Sequence, residues 1–197
     1  MSELNTKIVT RKPCKWSFVH LMEPYAFDAA DTPKYSVRLL IPKDDKETLG
    51  MITSTVKNML TDPKVTAKLG NMNLKMALGF LHDGDETDLD KYPEQEGCFI
   101  INVSNTRPVD VRQVIAGKMV PVTDPTEIYS GCEGLVSFNL FAYNNKKKGI
   151  SCSLNNCVKT ADGESLGGTS SKASDDFADV FPEGGGADED MSALLNI

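Results

Sequence analysis

Apolar and polar residues alternate along most of the chain in short runs separated by Gly, Pro, Asn and Asp, and one stretch switches to helical spacing. The first run, KWSFVHLM at 15–22, predicts a strand with Trp16, Phe18 and His20 on one face and Val19 and Leu21 on the other. A turn-rich segment, 23–33, precedes KYSVRLLIP at 34–42. There Tyr35, Val37, Leu39 and Ile41 share a face, Lys34, Ser36 and Arg38 the opposite one, and Pro42 ends the strand. A helix follows, with Asp44 as cap and Glu47 completing a capping box; Leu49, Ile52, Val56, Met59 and Leu60 form its apolar stripe. Short helical pieces broken by Gly70 and Gly79 are expected over 64–80. The β pattern returns in FIINVSN (99–105), in the valine-rich 109–123 and most strongly in LVSFNLFAYN (135–144). In that last run Val136, Phe138, Leu140 and Ala142 oppose Ser137, Asn139, Phe141 and Tyr143. NNKKKG at 144–149 reads as a hairpin turn into a partner strand over 149–160, with Ile150, Cys152, Leu154 and Val158 inward.

The fold class is therefore mainly β, with at least five short strands and a helix-containing connection between the second and third. A five-stranded OB-fold barrel with an enlarged middle connection fits, because closure removes exposed strand edges. A β-sandwich fits the same periodicity. After Gly168 the composition shifts to Gly, Ser, Asp and Glu. Residues 1–168 are thus expected to form the folded domain and 169–197 a disordered acidic tail, which lacks the apolar surface to offset its ordering entropy.

Net charge is −7, which taken alone argues against a polyanionic partner. Its distribution changes that picture. The tail holds seven acidic residues against Lys172, and 83–96 holds seven against Lys91, so the rest of the chain is net basic. The five cysteines, Cys14, Cys98, Cys132, Cys152 and Cys157, are odd in number and show no CxxC spacing. Buried free thiols are expected rather than disulfides or zinc. No apolar run is long enough to span a membrane, and residues 1–15 lack a signal-peptide core, so a cytoplasmic location is expected.

Proteins that coat single strands need flat side chains for bases and cations for phosphates. Phe141 and Tyr143 on one strand face, beside Lys146, Lys147 and Lys148 at the hairpin tip, make the strongest such grouping. The competing reading packs both aromatics under the inserted helix and leaves the lysines to solvate a turn. Lys34 and Arg38 face away from the apolar side of their strand and could reach phosphates, as could Arg107 at a strand end, unless it serves a surface ion pair. Trp16 is a stacking candidate that core packing fits equally well, and Tyr129 suits a hydrogen-bonded corner better than a nucleic-acid contact. Asp83, Asp85, Asp88, Asp90 and Glu94 partly match a calcium loop, but Asp88 stands where glycine is needed and Pro93 precedes the final carboxylate. The same carboxylates could hold magnesium for nuclease chemistry. A solvated acidic loop is the simpler reading, with no metal or cofactor. No GxSxG, Walker A or HExxH motif gives a reason to expect an enzyme.

Several segments, read in order, resemble one family: KYSVRLLIPK (34–43), HDGDE (82–86), FIINVSN with Arg107-Pro108, EIYSGC (127–132), FNLFAYNNKKKGISCSLN (138–155) and VKTADGESLGG (158–168). Together they resemble the tailed-bacteriophage single-stranded DNA-binding proteins with an OB fold, over residues 7–168. The resemblance implies non-catalytic binding of single-stranded DNA during phage replication or recombination, in the cytoplasm of the infected bacterium, with no membrane partner and with self-association left open. The tail resembles only in character the acidic tails of replication strand-binding proteins. Its run Asp188-Glu189-Asp190, followed by Leu194, Leu195 and Ile197, would suit a basic, apolar pocket on a phage or host replication or recombination protein. Two alternatives remain: a metal-dependent DNA-processing nuclease, and an adaptor acting only through its tail.

Overall fold

The computed structural model describes residues 4–167. The expected acidic tail, with Asp188, Glu189, Asp190, Leu194, Leu195 and Ile197, lies outside the described residues. In chain order the elements are β1 (Lys7–Val9), β2 (Cys14–Tyr25), β3 (Lys34–Pro42), α1 (Lys46–Thr61), α2 (Pro63–Leu69), α3 (Leu74–Ala77), β4 (His82–Asp83), β5 (Cys98–Asn105), β6 (Asp110–Ile115), β7 (Lys118–Pro121), β8 (Glu133–Asn144) and β9 (Lys148–Ala161). Strands β8, β2, β3, β5 and β9 pair in that order, and β9 pairs back onto β8, closing a five-stranded ring. The architecture is mainly β and OB-like, with the helices inserted between β3 and β5. Closure favours the barrel over the sandwich. Beyond the ring, β6 pairs with β9 and β7 ends the sheet.

The ring closes around an apolar core. Trp16, Leu39, Ile101, Phe138 and Leu154 are fully buried. Each such side chain contributes roughly 1.5–3 kcal/mol by leaving water. Helix α1 adds Ile52, Val56 and Met59 to this core. Its cap is Asp45 rather than Asp44: Asp45 Oδ1 accepts from the Thr48 amide at 3.0 Å. The one-residue shift buries the capping carboxylate, whereas Asp44 pairs with Lys12. Glycine is required at 134, where a Cβ would lie 2.5 Å from the Trp16 ring and 2.3 Å from the Val158 carbonyl.

Two β-bulges reverse the expected facing of residues. Between Ser17↔Arg38 and His20↔Ser36, β2 carries one residue more than β3, and Phe18 takes a φ of 50°. Trp16 and Phe18 therefore do not share a face: Trp16 is 0% exposed and Phe18 44%. The second bulge lies between Ser137↔Asn156 and Phe138↔Leu154. Past it, Cys157 and Lys159 turn inward in place of Val158. An extra residue shifts the period-two alternation by one, so every later side chain changes sides. Lys159, with its side chain 5% exposed, is neutralised by Asp162 at 2.7 Å and donates to the Glu127 carbonyl. All five cysteines are free; four are buried and Cys98 is partly so. Burial pushes the Cys14 and Cys152 thiols up to about 12, so they are inert at neutral pH. Among the described residues no helix is long and apolar enough to cross a membrane.

Candidate nucleic-acid interface

The outer face of the barrel is built by parity. On β3, Lys34, Ser36 and Arg38 point away from the core that receives Val37, Leu39 and Ile41. Register continues this face sideways: Ser36 pairs with Ser104, Arg38 with Asn102, and Ser104 with Ser153 of β9. Ser153 and Ser151 pair in turn with Asn139 and Phe141 of β8. A band of small polar side chains thus crosses the sheet, with aromatics on both flanks.

On one flank the β2 bulge turns Phe18 out. The Arg38 guanidinium lies 4.5 Å above the Phe18 ring, and its Nε donates to Asn102 Oδ1 at 2.9 Å. Tyr92 meets Phe18 edge-on at 5.8 Å. His20 and Tyr25 stack at 4.4 Å and 12°. Burial lowers the His20 pKa, disfavouring the charged imidazole. Tyr25 is 51% exposed, and Phe27, on the loop after it, is 85%. These side chains, with Lys34, line a groove of about 570 Å³. On the other flank Tyr143, Lys148, Ser151, Met76 and Phe80 line a second hollow of about 320 Å³. Asn102 borders both hollows, so they adjoin across the face.

Exposed aromatic rings beside guanidinium and ammonium groups, over a polar floor, suit an unpaired polynucleotide. Each ring offers a π-face to any base, and the cations meet phosphates without reading sequence. Arg38 is held on Phe18 and Asn102 before any ligand arrives, which reduces the ordering cost of binding.

The structure sorts the residues singled out from the sequence. Lys34 and Arg38 line the groove, and Tyr143 and Lys148 the adjoining hollow. Phe141 is 44% exposed on the same outer face, and Lys146 and Lys147 are exposed at the hairpin. The Tyr143 ring lies across Gly149, where a Cβ would sit 2.7 Å from its hydroxyl. Arg107 is exposed on the loop after β5 and lines neither hollow. Trp16 is a correction: paired with the buried Leu39 ahead of the first bulge, its ring lies in the core, so it presents no face to a base. Tyr129 is a corner residue, bonded through its hydroxyl to the Gly163 carbonyl at 2.9 Å and to Asp162 at 3.1 Å. Sequence reasoning did not single out His20, Tyr25, Phe27, Tyr92 and Asn102, and it set Phe18 on the face of Trp16, where core packing competed with stacking. The available signal was Tyr25 and Phe27 themselves, aromatics in a turn-rich stretch with no apolar partners in register.

The acidic stretch has its own architecture. Lys43 bridges Asp83 at 2.5 Å and Asp85 at 2.6 Å, and Asp85 also accepts the Gly97 amide. The Lys43 ammonium and that amide hold the Asp85 carboxyl below the usual carboxylate range. Among the described residues no three His, Cys, Asp or Glu side chains converge as metal ligands would.

Comparison with known proteins bears on this geometry. Residues 6–191 match the family described as "Enterobacter phage Enc34, ssDNA-binding protein". A putative protein p50 of Acyrthosiphon pisum secondary endosymbiont phage 1 is 26% identical over 175 residues, covering 83% of this chain and 89% of that protein. Among solved structures, the single-stranded DNA-binding protein of bacteriophage Enc34 superposes with a TM-score of 0.66 at 26% identity, covering 87% of this chain and 90% of that one. The same phage protein in complex with ssDNA superposes with a TM-score of 0.61 at 27% identity, covering 82% and 90%. The fold is also that of gp2.5, the single-stranded DNA-binding protein of bacteriophage T7, at a TM-score of 0.55 and 16% identity, covering 92% and 98%.

Proposed function

The chain belongs to the Enc34 phage ssDNA-binding family, and from that membership we propose that it binds single-stranded DNA without sequence preference and without catalysis. One observation carries the reading to this chain's own residues: Phe18, Tyr25, Phe27 and Phe141 are exposed on one outer face that also presents Lys34, Arg38 and Lys148. Exposed rings gathered on one face, unlike single exposed apolar residues, mark an interaction site. Bases stack on the rings, Arg38 and the lysines neutralise phosphates, and Asn102 with the neighbouring serines supplies hydrogen bonds indifferent to base identity.

The setting we propose is phage DNA replication or recombination in the cytoplasm of the infected bacterium. The acidic segment 169–197 recruits a replication or recombination protein through Asp188-Glu189-Asp190 and the apolar tip Leu194, Leu195 and Ile197. Its charge also competes with DNA for the cationic face. The experiment is a titration of fluorescent oligonucleotides of mixed sequence against the full chain and against one lacking residues 169–197. Affinity for single strands should fall steeply with salt, because bound phosphates release counterions. The shortened chain should bind more tightly at low salt, where screening is weak. Salt-independent binding, or a strong preference for one sequence, would defeat the first part. Unchanged affinity at low salt in the shortened chain would defeat the second.

A further inference from the structure

Two surface features lie beyond the side chains assigned to the strand contact above, the second bordering its smaller hollow at Gly79 and His82, and each has what the other lacks. The first is the β6–β7 hairpin. Its turn places Ala116 at φ 49° and Gly117 at φ 75°, the left-handed pair of a tight two-residue loop. Around that turn Val114 is 39% exposed, Ile115 55% and Met119 61%. Val114 and Met119 oppose each other in register, as do Ile115 and Lys118. These side chains are aliphatic and offer no π-face to a base. The second feature is a groove of about 920 Å³, lined by Leu74, Leu78, Leu81 and Phe99. One side carries Lys75; the other carries Asp83 and Glu86, backed by the acidic stretch that runs on to Glu96. Asp83 is engaged by Lys43, whereas Glu86 makes no ion pair among the described residues. A groove with that rim repels phosphate and suits an apolar segment bearing a lysine.

The two features sit at opposite ends of the barrel. Strands β5, β9 and β6 run parallel, with Ser104 beside Ser153 and Gln113 beside Lys159. Phe99 lies near the start of this path and Ile115 at its end, roughly 40 Å apart along the strands at about 3.3 Å per residue. No residue of the β6–β7 hairpin lines the groove of its own molecule.

We propose that the β6–β7 tip of one copy seats in the Leu74–Leu78–Phe99 groove of the next, with the paired Val114 and Met119 against the apolar wall and Lys118, on the hairpin's other face with Ile115, toward Glu86. Donor and acceptor are different surfaces, so the contact is head-to-tail, and it is proposed in its open, repeating form rather than as a closed ring. Copies then line up along a bound strand, and each bound copy favours the next. The alignment on DNA rests on the single-strand reading; the contact between copies does not.

The test uses complementation in the full chain. Val114→Asp with Met119→Asp disables the donor, and both positions are exposed enough to leave the fold intact. Leu78→Asp disables the acceptor. Glu86→Arg, at an exposed position, weakens the acceptor if Leu78→Asp fails to fold. Sedimentation without DNA should show wild-type chains of copies and monomers for either disabled variant. An equal mixture of donor-disabled and acceptor-disabled protein should form one-to-one pairs and nothing larger. On an oligonucleotide long enough for several copies, neighbour-assisted binding should fall at least tenfold in each disabled variant. Affinity for an oligonucleotide holding one copy should not change. Monomeric and non-cooperative wild type, disabled variants that still associate, or a mixture that fails to pair would each overturn the proposal. Wild type that forms chains of copies yet binds no short oligonucleotide would support this contact while removing the single-strand reading.

Discussion

Replacing Phe18 with glycine and, separately, with alanine distinguishes backbone strain from ring chemistry. Phe18 sits at φ 50°, a conformation that costs a residue bearing a Cβ about 1–2 kcal/mol. Both substitutions remove the ring, and with it the Arg38 contact, worth about 0.5–1 kcal/mol at an exposed site, and the Tyr92 edge contact, worth about 0.5–1.5 kcal/mol. Only glycine also relieves the left-handed strain. Against that relief stands the larger unfolded-state entropy of glycine, about 0.5–1 kcal/mol. Phe18→Gly should therefore be more stable than Phe18→Ala by about 0.5–1 kcal/mol, the reverse of the ordinary order in a strand. Urea unfolding midpoints at equal slopes measure the difference. Each variant should also lose about 1–3 kcal/mol of single-strand affinity, roughly 5- to 150-fold. Greater stability for alanine than for glycine would mean that the bulge is not left-handed at this residue. Wild-type affinity in either variant would remove the ring from the interface.

Changing Lys146, Lys147 and Lys148 together to alanine should reduce the slope of log affinity against log salt by about 2, given about 0.7 per single-strand phosphate contact; an unchanged slope would assign these lysines to solvent. Trp16→Ala should destabilise the domain by about 3–5 kcal/mol in a denaturation series. The emission of this lone, fully buried Trp should stay nearly constant as ssDNA is added, and strong quenching would show that its ring reaches the bases. The Asp85 carboxyl is depressed in the fold, so its contribution is present above the ordinary carboxylate pKa and is lost as pH falls through the lower folded value. Asp85→Asn should accordingly flatten the acid side of a melting-temperature profile, and an unaltered acid side would deny the Lys43 bridge a role in stability.

Strand existence was legible because most strands expose one face and bury the other. The alternation in KYSVRLLIP assigns Val37, Leu39 and Ile41 to the core and Lys34 and Arg38 to the surface, as observed. What alternation cannot carry is a change of phase. KWSFVHLM and GISCSLNNCV read as unbroken strands, yet each holds a bulge. One extra residue moved Trp16 and Phe18 to opposite sides and exchanged Val158 for Cys157 and Lys159 inside. A bulge depends on what the partner strand does across the ladder, and Arg38 and Ser36 lie some twenty residues from Ser17 and His20. The interface was half legible for the same reason. Residues on regular strands, such as Lys34, Arg38 and Phe141, follow from parity. Phe18 needed the bulge, and Tyr92 arrives from a segment that its charge alone would place far from DNA.

That segment bears on how a chain of net charge −7 presents a cationic face. Fields between exposed charges fade over roughly 8–10 Å at physiological salt, so phosphates respond to what lies within one or two side chains. Over 83–96 the chain carries seven carboxylates but one lysine and one aromatic, and these two are adjacent. Tyr92 lines the groove and closes on Phe18, and the Lys91 ammonium lies 5.2 Å from the Tyr92 ring. At the other end of the segment, Asp83 and Asp85 are drawn onto Lys43, beside the apolar groove and away from Phe18. A single segment therefore shows an aromatic, with a lysine beside it, to the proposed DNA face and carboxylates to the proposed protein face. Its total charge is a poor guide to either.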